Sequence, residues 1–349
     1  MNYYVVNLLI VIGIYTMCCL AIKEKQKRGK VFLILSMLQL FFMLALRKEN
    51  VGIDLQNYIP FLNRVINFTN AELFTIGFES GYNIYCKFIM QIFNNEQIFL
   101  AITAGISLIE VYFFIKNNSN NYFFSMIIYI TFQFYIFLFS GLRQSIALSI
   151  ILLSIKYIKE RKVYKFIAMI LLASLFHKSA FIFLPAYFIA YKKITVKYLA
   201  AIAGAGGIIF ILKNKIMMII TRFLYTNYES LENQGEGFGY LVLLVLILLL
   251  ALYFIKAMLK KNKDNIIWYN LLIVAIIIQL LASMEGNVAR LTMYYSISII
   301  VMIPNILEII KPKELSYVGK IILGVCLCVF FYKTMQNPIL YMPYLFFWQ

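Results

Sequence analysis

Runs of about twenty apolar residues, long enough for a helix to cross the hydrocarbon core of a bilayer, recur along this sequence. Of its 349 residues, 63% are hydrophobic, and the mean hydropathy is +0.83. Soluble domains contain only roughly 45–50% apolar residues. The sequence therefore predicts an all-α, polytopic membrane protein that forms one integral membrane domain over residues 1–349.

Hydropathy and loop charge together predict roughly 12 transmembrane helices. The first run has neither a basic segment before it nor a small-residue cleavage site after it, so we expect a retained span and not a cleaved signal. The predicted spans are 3–22, 31–46, 97–115, 122–140, 144–158, 164–176, 179–191, 198–212, 238–256, 266–283, 290–310 and 318–333.

The basic stretch KEKQKRGK (23–30) predicts which side of the membrane each loop occupies. Cytoplasmic loops collect Lys and Arg. With this stretch inside, most of the 32 Lys and Arg residues lie in inside loops and most of the 15 Asp and Glu residues lie outside. Both termini are then expected outside. The same rule accounts for the net charge of +17, so we expect no nucleic-acid partner.

Two predicted outer segments are longer than a turn. Residues 47–96 mix apolar and polar residues at helical spacing, which favours amphipathic helices at the membrane interface. Residues 213–238 end in a stretch rich in Gly, Asn and Glu, which favours a mobile loop. The predicted spans 144–158, 164–176 and 179–191 are shorter than the hydrocarbon core is thick. We therefore expect an outward-facing cavity above them.

Four basic residues lie where the inside-positive rule would not place them: Arg143, His177, Lys178 and Arg290. Each stands at the beginning of a predicted helix that runs inward from the outer face. Helix N-termini attract anions, and arginine or lysine strengthens such a site. The alternative is that each side chain extends to the outer headgroups. Three such turns together favour an anion-binding function.

The acidic candidates are Asp54, Glu79 and Glu285. Asp54 follows a glycine turn and precedes an amphipathic stretch, so it could equally be a helix N-cap. Glu79 could be a solvated loop charge. Glu285 stands five residues before Arg290, so a structural ion pair is an alternative to a catalytic role.

His177 is the only histidine in the chain. It could be a general base, a hydrogen-bond donor or a packed polar residue. Lys178 beside it favours the neutral imidazole, which accepts a proton near pH 7. The ring of Tyr58 could stack on a sugar, although aromatic residues at a membrane interface give the same pattern. The five cysteines show no metal-binding spacing with histidine.

Six elements in order make the chain similar to a known family: VGIDLQNY, GFESGYNIY, GLRQSIALSI, FHKSAFIFLPAYF, NVARLTMYY and YMPYLFF. The sequence resembles the EpsG family of Wzy-like bacterial polysaccharide polymerases over nearly its whole length. The Gly-x-Asp-x-x-x-Tyr, Leu-Arg-Gln and His-Lys-Ser elements are the most specific, and the late Arg-x-x-x-Tyr-Tyr element is looser.

The resemblance implies a lipid-pyrophosphate-dependent glycosyltransferase in the bacterial cytoplasmic (inner) membrane. It would join oligosaccharide repeat units carried on undecaprenyl pyrophosphate at the outer face. Membrane lipid, a flippase and a chain-length regulator are the implied partners. No Asp-x-Asp element of the kind that holds a metal with a nucleotide sugar is present, so we expect neither metal nor cofactor.

The candidate residues have the following expected roles in this reaction. Fixed cations stabilise a departing pyrophosphate. The expected pyrophosphate-binding residues are Arg143, Lys178 and Arg290. Asp54 or His177 would deprotonate the acceptor hydroxyl, and Glu79 is a further candidate base. The remaining candidates, for substrate binding, are Gln144, Tyr58 and Glu285.

Two other functions fit parts of the sequence. A transporter or flippase of a lipid-linked glycan would need an anion path on both faces and repeated halves, but the sequence shows no repeat. A membrane O-acyltransferase would use a lone histidine as base, but a cytosolic acyl donor would place that histidine near the inner face.

Overall fold

The computed structural model describes residues 3–224, 237–282, 286–336 and 344–349, and its regular elements are helices. One of these helices, Lys178–Phe183, is a 3-10 helix, and the others are α-helices. The helices are α1 (Tyr3–Ala21), α2 (Lys25–Ala45), α3 (Leu55–Val65), α4 (Glu72–Thr75), α5 (Ser80–Phe93), α6 (Glu96–Asn118), α7 (Tyr122–Thr131), α8 (Phe134–Phe137), α9 (Leu142–Lys159), α10 (Val163–Ser174), α11 (Ala186–Ile189), α12 (Val196–Ile211), α13 (Lys213–Leu224), α14 (Gly237–Tyr253), α15 (Ile255–Lys261), α16 (Asn265–Ala282), α17 (Gly286–Ser296), α18 (Ile299–Leu307) and α19 (Lys313–Met335).

Side-chain caps mark where three of these helices begin. The side chain of Asn95 accepts a hydrogen bond from the backbone N–H of Ile98, and Asn121 and Thr195 do the same for α7 and α12. Such a cap satisfies one of the unpaired N–H groups of the first turn. The polar residues between the apolar runs therefore fix the helix starts.

Five described helices are long and apolar enough to cross a membrane, or up to seven if two bent helix pairs each count as one span. The five are α1, α2, α6, α16 and α19, and the bent pairs are α14 with α15 and α17 with α18. The protein is therefore a multi-pass helical membrane protein. The predicted number of 12 spans is not confirmed.

Two of the predicted spans are interrupted by breaks that hydropathy does not reveal. The predicted span 122–140 is divided into α7 and α8 at Gln133, whose backbone is left-handed with φ of 67°. The predicted span 179–191 is a 3-10 helix followed by the four-residue helix α11. Both segments remain apolar, but neither contains a helix long enough to span a bilayer by itself.

The segment 47–96 contains three helices, α3, α4 and α5. Their buried apolar residues form a separate cluster with the first turns of α6 and α9, centred on Tyr58, Tyr82, Phe99 and Leu142. The segment therefore packs onto the helix bundle. Its position at a membrane interface stays a prediction.

The segment 213–238 differs in part from the predicted loop. Its first half, KNKIMMIITRFL, is the helix α13. Apolar residues at helical spacing account for this difference. Residues 225–236 lie outside the described residues, so a mobile loop there stays a prediction.

Several chain segments meet at one end of the bundle, which we call the site end. There the side chain of Gln97, at the start of α6, donates to the carbonyl oxygen of Arg47, just after α2, at 3.1 Å. The buried guanidinium of Arg47 in turn donates to the carbonyl oxygen of Leu138 at 3.3 Å. The C-terminal segment pairs with the chain just after α2, since the backbone N–H of Lys48 donates to the carbonyl oxygen of Leu345 at 2.9 Å.

Candidate active site

Five segments that are distant in sequence bring charged side chains together at the site end. They are the turn before α3, the residue before α5, the first turn of α9, the residue before the 3-10 helix, and α17. The charged residues that they contribute are, in that order, Asp54, Glu79, Arg143, His177 and Arg290.

The turn that carries Asp54 docks against the segment that precedes Arg143. Gly52 has φ of 136°, in the left-handed region, and a Cβ atom there would lie 2.0 Å from the carbonyl oxygen of Phe139. Only glycine permits this approach. The backbone N–H of Ile53 then donates to Ser140 Oγ at 3.0 Å. The Gly-x-Asp element therefore has a structural reason for its glycine.

The carboxylate of Glu79 accepts three hydrogen bonds. Arg143 donates to Oε2 at 2.5 Å, and the backbone N–H of Lys178 donates to Oε1 at 3.1 Å. The Nδ1 atom of His177 lies 3.2 Å from Oε1. Burial would raise the pKa of Glu79, but the hydrogen bond with His177 and the charge of Arg143 lower it to about 2. Glu79 is therefore ionised, and both of its carboxylate oxygens already accept hydrogen bonds.

This carboxylate sets the tautomer of His177. An ionised carboxylate only accepts hydrogen bonds, so Nδ1 carries the proton. Burial, together with the charge of Arg143, lowers the pKa of His177 below its usual 6.5, although Glu79 acts in the opposite direction. The imidazole is therefore neutral near pH 7 with the lone pair on Nε2. In the described part of the chain, Nε2 has no hydrogen-bond partner, so this atom is available as a base.

Arg143 is held rigidly. Its Nε atom donates to the hydroxyl oxygen of Tyr58 at 3.3 Å, and its guanidinium lies 4.3 Å from the ring centroid of Phe78. Only 13% of its side chain is exposed. Tyr58 is itself buried, with its ring against Phe78 and Tyr82. Its ring is thus covered by protein, and a role of Tyr58 in stacking on a sugar stays a prediction.

Arg290 pairs with Asp54 in a more open setting. Its two terminal nitrogens lie 2.8 and 3.5 Å from the carboxylate oxygens. The side chains are 35% and 20% exposed, respectively. Gln144 joins the two ion pairs, because it follows Arg143 and its Nε2 donates to the carbonyl oxygen of Arg290 at 2.7 Å.

Lys178 differs from the two arginines. Its backbone N–H is bound to Glu79, but its side chain is exposed and makes no ion pair with a carboxylate in the described ranges. The two arginine–carboxylate pairs cancel in charge, so the positive excess of the site resides on Lys178. The sequence predicted Arg143, Lys178 and Arg290 as pyrophosphate-binding residues, and in the structure both arginines pair with a carboxylate.

The structure therefore brings together eight of the nine residues that the sequence singled out. The eight are Asp54, Tyr58, Glu79, Arg143, Gln144, His177, Lys178 and Arg290. Glu285 lies outside the described residues. No group of three or more His, Cys, Asp or Glu side chains that could hold a metal occurs within the described ranges.

Sequence reasoning missed the hydroxyl groups that connect these segments. Ser140 fixes the turn of Asp54, and Ser179 lies 2.9 Å from the hydroxyl oxygen of Tyr294. Ser179 and Tyr294 lie in two of the quoted elements, His-Lys-Ser and Arg-x-x-x-Tyr-Tyr. Their presence there was the available signal.

The fold and the site define a multi-pass helical membrane protein with a charged, histidine-containing site at one end of its helices. The family model of the EpsG family matches residues 30–346. The chain belongs to the EpsG family and is a polysaccharide-polymerase-like membrane protein. No curated protein and no solved structure matches it.

Proposed function

We propose that this protein is a glycosyl-transferring polymerase that joins undecaprenyl-pyrophosphate-linked oligosaccharide repeat units. The reaction takes place at the outer face of the bacterial cytoplasmic membrane, with both termini outside. The observation that carries this proposal is the convergence of Asp54, Glu79, Arg143, His177 and Arg290 at one end of the bundle. Family membership supports the polymerase class.

The reaction exchanges one bond to the anomeric carbon for another. The hydroxyl oxygen of the acceptor unit attacks the anomeric carbon of the donor's reducing-end sugar. The bond from that carbon to the pyrophosphate oxygen breaks, and the electron pair leaves with the lipid pyrophosphate. Attack from the side opposite the leaving group favours inversion. No nucleotide sugar is needed, because the lipid pyrophosphate is the activating group.

His177 is the base in this scheme. Its Nε2 atom takes the proton of the acceptor hydroxyl, and the resulting imidazolium is stabilised by the carboxylate of Glu79. Glu79 cannot easily take the proton itself, since three donors already occupy its oxygens. Asp54 is the second candidate base, but it must first release Arg290.

The leaving group is held by the cations that can reach it. Lys178 is exposed, and Arg290 can exchange Asp54 for a phosphate oxygen, because that pair is partly open to solvent. A phosphate oxygen replaces the carboxylate with similar hydrogen-bond geometry. Arg143 remains bound to Glu79 and contributes a fixed positive charge near the reaction centre.

Reconstitution tests the proposal. Purified protein in lipid nanodiscs is given lipid-pyrophosphate oligosaccharide units and a chelator, with no nucleotide sugar. We expect a ladder of lengthened lipid-linked chains, unaffected by the chelator. The variant His177→Gln should slow elongation by about 10²- to 10⁴-fold, the usual contribution of a general base.

Two results would contradict the proposal. Transport of the lipid-linked unit across a liposome membrane without lengthening would instead assign a flippase. A requirement for an acyl donor would assign an acyltransferase. A flippase and a chain-length regulator as partners remain part of the proposal and are tested separately by co-purification.

A further inference from the structure

Two consecutive tyrosines attach α17 to the 3-10 helix. The hydroxyl oxygen of Tyr294 lies 2.9 Å from Ser179 Oγ, and the hydroxyl of Tyr295 donates to the carbonyl oxygen of Ile182 at 2.7 Å. Both tyrosines are 0% exposed, and Ser179 is 2% exposed. These are buried contacts between segments more than 100 residues apart in sequence, as the separation of 115 between Ser179 and Tyr294 shows.

The contact between Tyr294 and Ser179 is close in sequence to charged groups on both of its segments. Arg290 precedes Tyr294 by four residues, so the two side chains occupy neighbouring turns on one face of α17. On the other segment, Ser179 follows Lys178 immediately and His177 by two residues. The hydrogen bond thus joins the segment that carries the base to the helix that carries Arg290.

The ion pairs do not provide this connection. Glu79 ties His177 to Arg143, and Asp54 ties Arg290 to the turn before α3. Gln144 links Arg143's helix to the backbone of Arg290. Tyr294 and Tyr295 instead connect the 3-10 helix that follows His177 directly to α17 through hydrogen bonds. A neutral hydroxyl pair also persists when a phosphate competes for Arg290, whereas the ion pair does not.

We propose that the Tyr294–Ser179 hydrogen bond is a positioning element that sets the separation between His177 and Arg290, and with it the alignment of base and leaving group. This inference rests on the proposed polymerase function. Donor affinity depends on the charges of Lys178 and Arg290, which are retained when either hydroxyl is removed, and it tolerates a small displacement better than the chemical step does. Loss of the bond should therefore lower kcat and leave KM nearly unchanged, since a small misplacement of reacting groups reduces the rate of the chemical step.

The experiment uses the full-length reconstituted protein and three variants: Tyr294→Phe, Ser179→Ala and the double variant. Each single variant should lower kcat by about 10- to 100-fold with KM within about twofold, as expected for misaligned reacting groups. The double variant should be no slower than the slower single variant, because both changes remove the same bond. Tyr269→Phe is the matched control: it removes another buried tyrosine hydroxyl, which donates to the carbonyl oxygen of Ala251 at 2.8 Å. It should retain the kcat of the unmodified protein.

A second readout does not depend on activity. The chain contains one histidine, so ¹⁵N-histidine labelling gives the NMR signals of one imidazole. Tyr294→Phe should shift these signals, and Tyr269→Phe should not. Unchanged kcat and unchanged signals in Tyr294→Phe, or additive losses in the double variant, would overturn the positioning role. An unmodified protein that fails to elongate its substrate would overturn the proposed function itself, whatever the NMR signals show.

Discussion

The site contains two arginine–carboxylate pairs that differ in almost every physical respect. The closed pair, Glu79 with Arg143, is 9% and 13% exposed and is surrounded by His177, the Lys178 N–H, Tyr58 and Phe78. The open pair, Asp54 with Arg290, is 20% and 35% exposed, and in the described part its carboxylate is bound by Arg290 alone. One pair is buried within the protein, and the other is partly open to solvent.

This difference indicates that one ion pair has a structural role and that the other can take part in substrate binding. A buried ion pair is retained because removing one partner leaves an uncompensated charge. A partly exposed pair is worth little in stability and can exchange partners. We infer that the closed pair orients His177, whereas the open pair keeps Arg290 in place until a phosphate replaces Asp54. The following predictions test this comparison.

Removing the arginine of each pair should have very different effects on stability. Arg143→Met leaves the buried carboxylate of Glu79 without its cation and should lower the free energy of unfolding by about 3–5 kcal/mol. Arg290→Met, the same substitution in the open pair, should lower it by at most about 1 kcal/mol. A denaturing-detergent titration of the two purified variants measures both values. Equal losses would mean that the pairs do not differ as we describe.

Glu79→Gln should disturb catalysis and its pH dependence. A glutamine can bind Nδ1 in either tautomer, so kcat per folded molecule should fall by about 100-fold, within the range for a mispositioned base. Glu79 raises the pKa of His177, so its neutralisation should lower that pKa further. The neutral imidazole then persists to lower pH, and the acid limb of the kcat/KM profile moves to lower pH. A move of that limb to higher pH would contradict the orientation of His177 by Glu79.

Lys178→Met should weaken use of the donor. A charge-assisted hydrogen bond is worth about 1.5–3 kcal/mol, so kcat/KM for the lipid-linked donor should fall by about 10- to 100-fold. Lys165→Met is the matched control, since Lys165 is an exposed lysine near the start of α10, remote from the site end. Similar losses in both variants would show a general effect of charge and not a contact with the leaving group.

The smallest effect is expected for Asp54→Asn. The amide of asparagine competes less strongly than the carboxylate of Asp54 with the donor's phosphate for Arg290. Because an open ion pair is worth about 0.2–1 kcal/mol, the donor should bind about two- to fivefold more tightly. Titration of the variant with the lipid-linked donor measures the affinity, and turnover is followed in parallel. If kcat instead falls by about 10²-fold or more, then Asp54 and not His177 is the base.

The membrane class and the family could be predicted from sequence, because hydropathy and short motifs are local properties. Eight of the nine candidate site residues lie together in the structure, and their roles stay predictions. Which charged side chains contact each other could not be predicted from sequence. Arg290 pairs with Asp54, 236 positions away in sequence. Likewise Glu79 meets His177 98 residues later. Such contacts depend on how helices pack, and a single sequence does not encode that in any readable period.

The predicted number of 12 spans is not confirmed, in part for a related reason. A hydropathy window cannot see a backbone break such as Gln133, because the residues on both sides are equally apolar. The buried Tyr58 illustrates the same limit for the site. Its polar tip and aromatic ring suggested a sugar-stacking surface, whereas tertiary packing uses the hydroxyl to hold Arg143 and covers the ring.

The most direct test of this account is the protonation state of the single histidine. Solid-state or solution NMR of the ¹⁵N-histidine-labelled protein distinguishes the two neutral tautomers and the imidazolium from their nitrogen shifts. The account predicts a neutral His177 near pH 7 with its proton on Nδ1, held by Glu79, and a mixture of tautomers in Glu79→Gln. An imidazolium at that pH, or a neutral ring protonated on Nε2, would contradict the assignment of His177 as the base.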